Sequence, residues 1–127
     1  MNMRLFDTNI LIDHLKGKAV ATNILQGCVS EGLLLACSVI TRIELLNGMR
    51  PEEEKILEGL LSSFEKIAVS DGIAVQAGKY MNIYRKSHGI NMADAIIAAS
   101  AKDAHCQLYT LNIKHYPMKD IEVIKPY

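Results

Sequence analysis

Asp7, Glu44 and Asp94 are the side chains whose types and positions promise chemistry. Each stands where an apolar strand or turn gives way to a helix, in Phe6-Asp7-Thr8-Asn9, Thr41-Arg42-Ile43-Glu44-Leu45 and Asn91-Met92-Ala93-Asp94-Ala95. In a parallel α/β sheet, such junctions gather outside the carboxyl ends of the strands. Carboxylates gathered there repel one another, and a divalent cation offsets the repulsion. A Mg²⁺ or Mn²⁺ ion held by carboxylates and open to solvent is a tool for phosphate chemistry.

Each acid also has a plainer use. Thr41-Arg42-Ile43-Glu44 has the spacing of a capping box, with Glu44 bonding back to the cap's N–H. Asn91 can cap a helix in which Asp94 favours the positive dipole end. Asp7 can cap the helix that starts at Thr8. Asp94 differs in its setting, because the adjoining run from Ala95 to Ala101 carries no charge. A carboxylate at the edge of a dry interior is costly unless something pairs with it. Asp13, further along the first helix, is expected to face solvent or to flank the site.

The elements that position these residues are legible in outline. Met3 to Phe6 is β-prone, and helical spacing continues through Ile10, Leu11 and Leu15 to about Gly17. Val20, Ala21, Ile24, Leu25 and Cys28 mark a helix from about Lys18 to Glu31, stopped by Gly32. Leu33 to Cys37 is wholly apolar, as in a strand buried on both faces. Thr41 is expected to begin a helix to about Gly48. Pro51 and three glutamates begin another, with Ile56, Leu57, Leu60, Leu61 and Phe64 on its core face. Ile67-Ala68-Val69 reads as a third strand. Ile73, Ala77, Tyr80, Met81 and Tyr84 mark a long helix ending near His88-Gly89. The uncharged helix from about Asn91 is a buried one. Leu108-Tyr109-Thr110 reads as a fourth strand and Ile121 to Ile124 as a fifth, at an edge. Strands alternating with helices imply a parallel sheet covered on both faces.

Composition sets outer limits. A chain of 127 residues suits one domain. Half its residues are hydrophobic and 22% are charged, which fits a globule rather than a disordered chain. No apolar stretch is long enough to span a bilayer, and the N-terminal run reaches Asp7 too early for a signal peptide. The formal net charge is zero, so nucleic-acid binding needs a local patch. Arg42, Arg50, Lys79, Arg85, Lys86 and Lys114 are available for one. Cys28, Cys37 and Cys106 are odd in number and lack C-x-x-C spacing, which argues for a reducing, cytoplasmic compartment and against zinc.

Four blocks together resemble a known family. They are Asp7-Thr8-Asn9-Ile10-Leu11-Ile12-Asp13, Thr41-Arg42-Ile43-Glu44-Leu45-Leu46-Asn47-Gly48, Asp94-Ala95-Ile96-Ile97-Ala98-Ala99-Ser100-Ala101 and Leu108-Tyr109-Thr110-Leu111-Asn112. In this order and spacing they resemble PIN domains, and among them the VapC toxin ribonucleases of type II toxin–antitoxin pairs. The resemblance implies one PIN domain over residues 1–127, an α/β/α sandwich with parallel strand order 3-2-1-4-5. It implies an endoribonuclease dependent on Mg²⁺ or Mn²⁺, leaving 5′-phosphate and 3′-hydroxyl ends. It also implies a homodimer inhibited by a small antitoxin protein. By position, Asp7, Glu44 and Asp94 become the catalytic, metal-binding acids, and Thr8, Asn9 and Thr110 become polar groups orienting water or RNA. Many members carry a fourth acid after strand four. Here Asn112 and His115 stand in its place, one able to offer a neutral oxygen and the other to contact phosphate.

Two rival readings lead elsewhere. A flavodoxin-like phospho-acceptor domain would also carry acids after strand one, but Val69-Ser70-Asp71 and Lys125 are poor stand-ins for its acceptor and lysine. A PIN-like module that only binds RNA or protein would need no metal.

Overall fold

The computed structural model describes residues 2–127. Its sheet has five parallel strands in the order β3-β2-β1-β4-β5. They are β1 (Met3–Phe6), β2 (Leu34–Ser38), β3 (Phe64–Ile67), β4 (Gln107–Tyr109) and β5 (Val123–Ile124). Six helices connect them: α1 (Thr8–Leu15), α2 (Ala19–Ser30), α3 (Val39–Asn47), α4 (Glu54–Leu61), α5 (Asp71–His88) and α6 (Met92–Ala104). A flavodoxin-like domain has the order 2-1-3-4-5, so the sheet order sets that rival aside.

Alternation along the strands builds three layers. Successive strand side chains point to opposite faces. Leu5 therefore joins Ala36 and Leu108 in a core under α5 and α6. Its neighbour Phe6 joins Leu35, Cys37 and Phe64 in a second core under α1, α2 and α4. β1 lies mid-sheet with both cores against it, which is why Leu5 and Phe6 are fully buried. Every residue of α6 from Ala95 to Ala101 is buried, as its lack of charge requires. Ser100 is the polar member of that run, and its hydroxyl donates to the Ile96 carbonyl at 2.7 Å. That bond removes the penalty of burying it.

Three expectations need correction. α3 begins at Val39 rather than Thr41, because Ser38 is the cap and its Oγ accepts from Ile40 N at 3.1 Å. The third strand is Phe64–Ile67, not Ile67–Val69. Its alternation is in Phe64 itself, packed in the core while Glu65 and Lys66 are exposed, and charges of that kind suit an edge strand. α4 starts only after a 3-10 turn at Pro51–Glu53. This phasing turns Leu57 and Leu61 inward and leaves Ile56 exposed at 65%. The remaining boundaries agree within about two residues, and Gly32 and Gly89 end α2 and α5 with left-handed backbone (φ 78° and 63°).

The three cysteines are free and buried. Burial pushes the Cys37 thiol up to about 11, so it stays protonated and packs as a small hydrophobe. No helix among the described residues is long and apolar enough to cross a membrane.

Candidate functional site

The carboxyl ends of β1 and β4 place Asp7. Its backbone N–H donates to the Tyr109 carbonyl at 2.9 Å, which continues the pairing of the two strands to the sheet edge. Its side chain caps α1, and Oδ1 accepts from Thr8 N at 2.8 Å. Oδ2 accepts two hydroxyls, from Thr110 Oγ1 at 2.7 Å and from Tyr116 at 3.0 Å. Burial raises the Asp7 carboxyl above its ordinary value, and the charge of Asp94 adds to the rise, while these three donors oppose it.

Thr8 carries the second acid. Its hydroxyl donates to Glu44 Oε1 at 2.6 Å. With that proton committed, Thr41 Oγ1, 2.9 Å away, is the donor to Thr8. Glu44 lies well past the first turn of α3. The capping box expected at Thr41 is therefore absent, and the Glu44 side chain points across to α1. Thr8 and Thr41 are buried, and Glu44 is exposed. Replacing Thr8 by Val should lower stability by about 1–2 kcal/mol, because the Thr41 hydroxyl loses its buried acceptor. Thr8→Ser should melt close to the wild type; equal melting of both variants would show that the hydroxyl chain carries no stability.

Asp94 does what its plainer use required. Asn91 and Asp94 form a reciprocal capping box, with Asp94 Oδ2 accepting from Asn91 N at 3.1 Å and Asn91 Oδ1 accepting from Asp94 N at 2.9 Å. The same Oδ2 lies 3.1 Å from His115 Nδ1. Asn112 Nδ2 is 2.9 Å from that ring nitrogen. The two substitutes for the fourth acid thus bear on Asp94 from a 3-10 turn at Ile113–His115. Asn9 reaches the same end of β4: its Oδ1 accepts from Leu111 N at 3.4 Å and its Nδ2 lies 3.5 Å from Thr110 Oγ1. Thr110 in turn accepts from Asn112 N at 3.0 Å.

Sequence reasoning missed Tyr116. Its hydroxyl is held protonated by burial and by the charges of Asp7, Asp94 and Glu44 together. Of the three acids, Asp7 alone is bonded to this hydroxyl, and Glu44 and Asp94 are each turned to other partners. Among the described residues, no three acidic, imidazole or thiol side chains are grouped so as to hold one ion.

Asp13 corrects its expectation, because it neither faces solvent freely nor joins the acids. It accepts from the Tyr127 hydroxyl at 2.8 Å and pairs with Lys18 at 3.3 Å. The Tyr127 hydrogen bond, with help from Lys18, holds its carboxyl below the ordinary 3.8. A depressed folded-state value stabilises above the unfolded value and stops doing so as pH falls through the folded one. Tyr127→Phe should therefore melt lower than wild type above about pH 4, with the gap closing in more acid buffer. A gap that persists unchanged at the acid end would remove Asp13 as its source.

Comparison with known proteins agrees with this architecture. A family model described as the PIN domain matches residues 4–119. Ribonuclease VapC10 of Mycobacterium tuberculosis is 41% identical over 125 residues, covering 98% of this chain and 92% of its own. Ribonuclease VapC19 of the same organism is 38% identical over 117 residues, covering 91% and 94%. A toxin–antitoxin complex from Klebsiella pneumoniae contains a chain 32% identical, with a TM-score of 0.79 over 98% of each chain. With a 3-2-1-4-5 parallel sheet, a family match over nearly its whole length and VapC relatives at this identity, the chain belongs to the PIN-domain family, among its VapC-type members.

Proposed function

We propose that this chain is a metal-dependent endoribonuclease directed at single-stranded RNA, the toxin of a toxin–antitoxin pair. The observation that carries the reading is that Thr8 ties two of the acids together, its N–H bonded to Asp7 and its hydroxyl to Glu44. The identity to VapC ribonucleases supports the reaction class, and the Klebsiella complex supports an antitoxin partner. A homodimer acting in the cytoplasm is part of the same proposal.

The donor chemistry suits Mg²⁺ or Mn²⁺. Asp7, Glu44 and Asp94 offer hard carboxylate oxygens, with hydroxyl and amide oxygens near them. Asp7 is buried, which raises its carboxyl, and Asp94 adds to the rise, so a cation beside it would favour its charged form. Glu44 is held by Thr8, and Asp94 by Asn91 with His115 beside it, so these are the residues that would hold the ion with Asp7. Bound there, the ion supplies Lewis acidity for phosphoryl oxygens and a means of ionising water near neutral pH.

The chain's own groups do the rest. Thr110, Tyr116 and Thr8 N fix the Asp7 carboxylate so that it cannot rotate away. Glu44, the exposed acid, accepts the proton of the attacking water. Asn9, Asn112 and His115 line the β4 side, where their polar atoms can orient the phosphate. The test is cleavage of a labelled RNA pool with Mg²⁺, with Mn²⁺ and with EDTA. Cleavage in the first two alone, leaving 5′-phosphate ends, is the expected result; equal cleavage in EDTA would overturn metal dependence.

The ungrouped state of the acids, together with the missing fourth carboxylate, favours a second reading as a binding module without catalysis. Such a module would show no rise in melting temperature on titration with Mg²⁺ or Mn²⁺, whereas the nuclease would.

A further inference from the structure

We propose that the groove between the end of α5 and the 3-10 turn at Ile113–His115 seats the RNA strand next to the scissile phosphate. A base would lie on His88 and a backbone phosphate on Lys114. This inference rests on the ribonuclease reading. The groove has a volume of about 540 Å³ and is lined by Ser87, His88, Ile113, Lys114 and Pro117.

The groove's walls neighbour, along the chain, residues that contact Asp94. Lys114 lies between Asn112 and His115, the pair that bears on Asp94. On the other wall, His88 is followed by Gly89 and Ile90, and then by Asn91, the cap bonded to Asp94. Each wall is thus within three residues, along the chain, of a group that contacts Asp94.

Its chemistry fits a single strand. Ile113 is 48% exposed and, with Pro117, gives an apolar floor. The His88 ring is held before any ligand arrives, by Ser87 Oγ at 2.7 Å from Nδ1 and by edge contact with Tyr84 at 5.8 Å between centroids. A restrained ring loses little entropy when a base stacks on it. The last turn of α5 adds Arg85 and Lys86. Of the six cations that the sequence offered for a patch, Arg42 is bound to Glu58, and Arg50 to Glu52 and Glu53. Among the described residues, the other four, Lys79, Arg85, Lys86 and Lys114, make no ion pair, and no acid lines the groove. In a chain of zero net charge, an unpaired Lys114 in a groove that no acid lines favours a polyanion there.

The test is fluorescence anisotropy with a labelled single-stranded RNA of mixed sequence. Asp7→Asn protein in Mg²⁺ is used so that no strand is cut. Adding His88→Ala and Lys114→Ala should weaken binding roughly tenfold or more. Lys114→Ala alone should reduce the slope of log affinity against log salt by about 0.7, one single-strand phosphate contact. Lys55→Ala, an exposed cation on α4, is the control and should change neither. Unchanged binding in the double variant, or equal weakening by Lys55→Ala, overturns the groove. If the groove variants weaken binding but wild-type protein cuts no RNA, the nuclease reading fails and the groove stands. If wild-type protein cuts RNA but the groove variants bind unchanged, the groove fails and the nuclease reading stands.

Discussion

Replacing Asp7 by Asn should lower RNA cleavage by at least ~10²-fold with little loss of stability. The two expectations separate because of how Asp7 is built in. As the cap of α1 it needs only one oxygen, facing Thr8 N, and Asn serves that position as well as Asp. The second oxygen, held by Thr110 and Tyr116, is the one that a neutral amide cannot supply as an anion. Loss of the charge also relieves repulsion from Asp94, so the apo variant should melt at or slightly above the wild type. Cleavage assays beside thermal melts check both halves. Wild-type turnover in the variant would remove Asp7 from the site. A collapse in stability would reduce it to a cap.

Asp94 calls for a paired experiment because one oxygen serves two purposes. Its Oδ2 closes the capping box with Asn91 N and also faces His115. Asn at 94 retains an oxygen for the box, whereas Ala retains none. Both should lose cleavage by at least ~10²-fold if the carboxylate holds metal. Only Asp94→Ala should lose the return bond to Asn91 N, about 1 kcal/mol, or roughly 3–5 °C for a domain of this size. If Asp94→Asn keeps full cleavage and melts normally, Asp94 is a cap alone. His115→Ala is a useful companion. By freeing Asp94 Oδ2 from its imidazole neighbour, it should leave apo stability nearly unchanged.

The layered fold is readable in the sequence because burial leaves a periodic trace. Leu5-Phe6 and the run Ala95–Ala101 are apolar for the same reason that they are central, so pattern and position coincide. Sequence and structure part where that coupling fails. β3 is an edge strand whose exposed Glu65 and Lys66 hide it from hydrophobicity, while the more apolar Ile67-Ala68-Val69 draws the eye past it. α3 is capped by Ser38, the last residue of an apolar strand, so the cap is masked by the strand it closes. The acids are visible as residues that come after strands. Their supports are not, because Tyr116 comes to Asp7 through an irregular turn with no spacing to announce it. Thr41 has the spacing of a helix start, yet its task is to supply the hydroxyl that fixes Thr8.

The fastening of Asp7 bears on the order of events during synthesis. Its two hydroxyl donors lie 103 and 109 residues further along the chain, and β1 reaches its partner β4 only when residues 107–109 are present. Contacts of such separation form late, because a long loop must close before they add stability. A growing chain that has made Asp7, Glu44 and Asp94 still lacks the strand and the tyrosine that hold the first acid in place. The half-made protein carries the acids without their geometry, so the fastened Asp7 exists only after residue 116 has emerged.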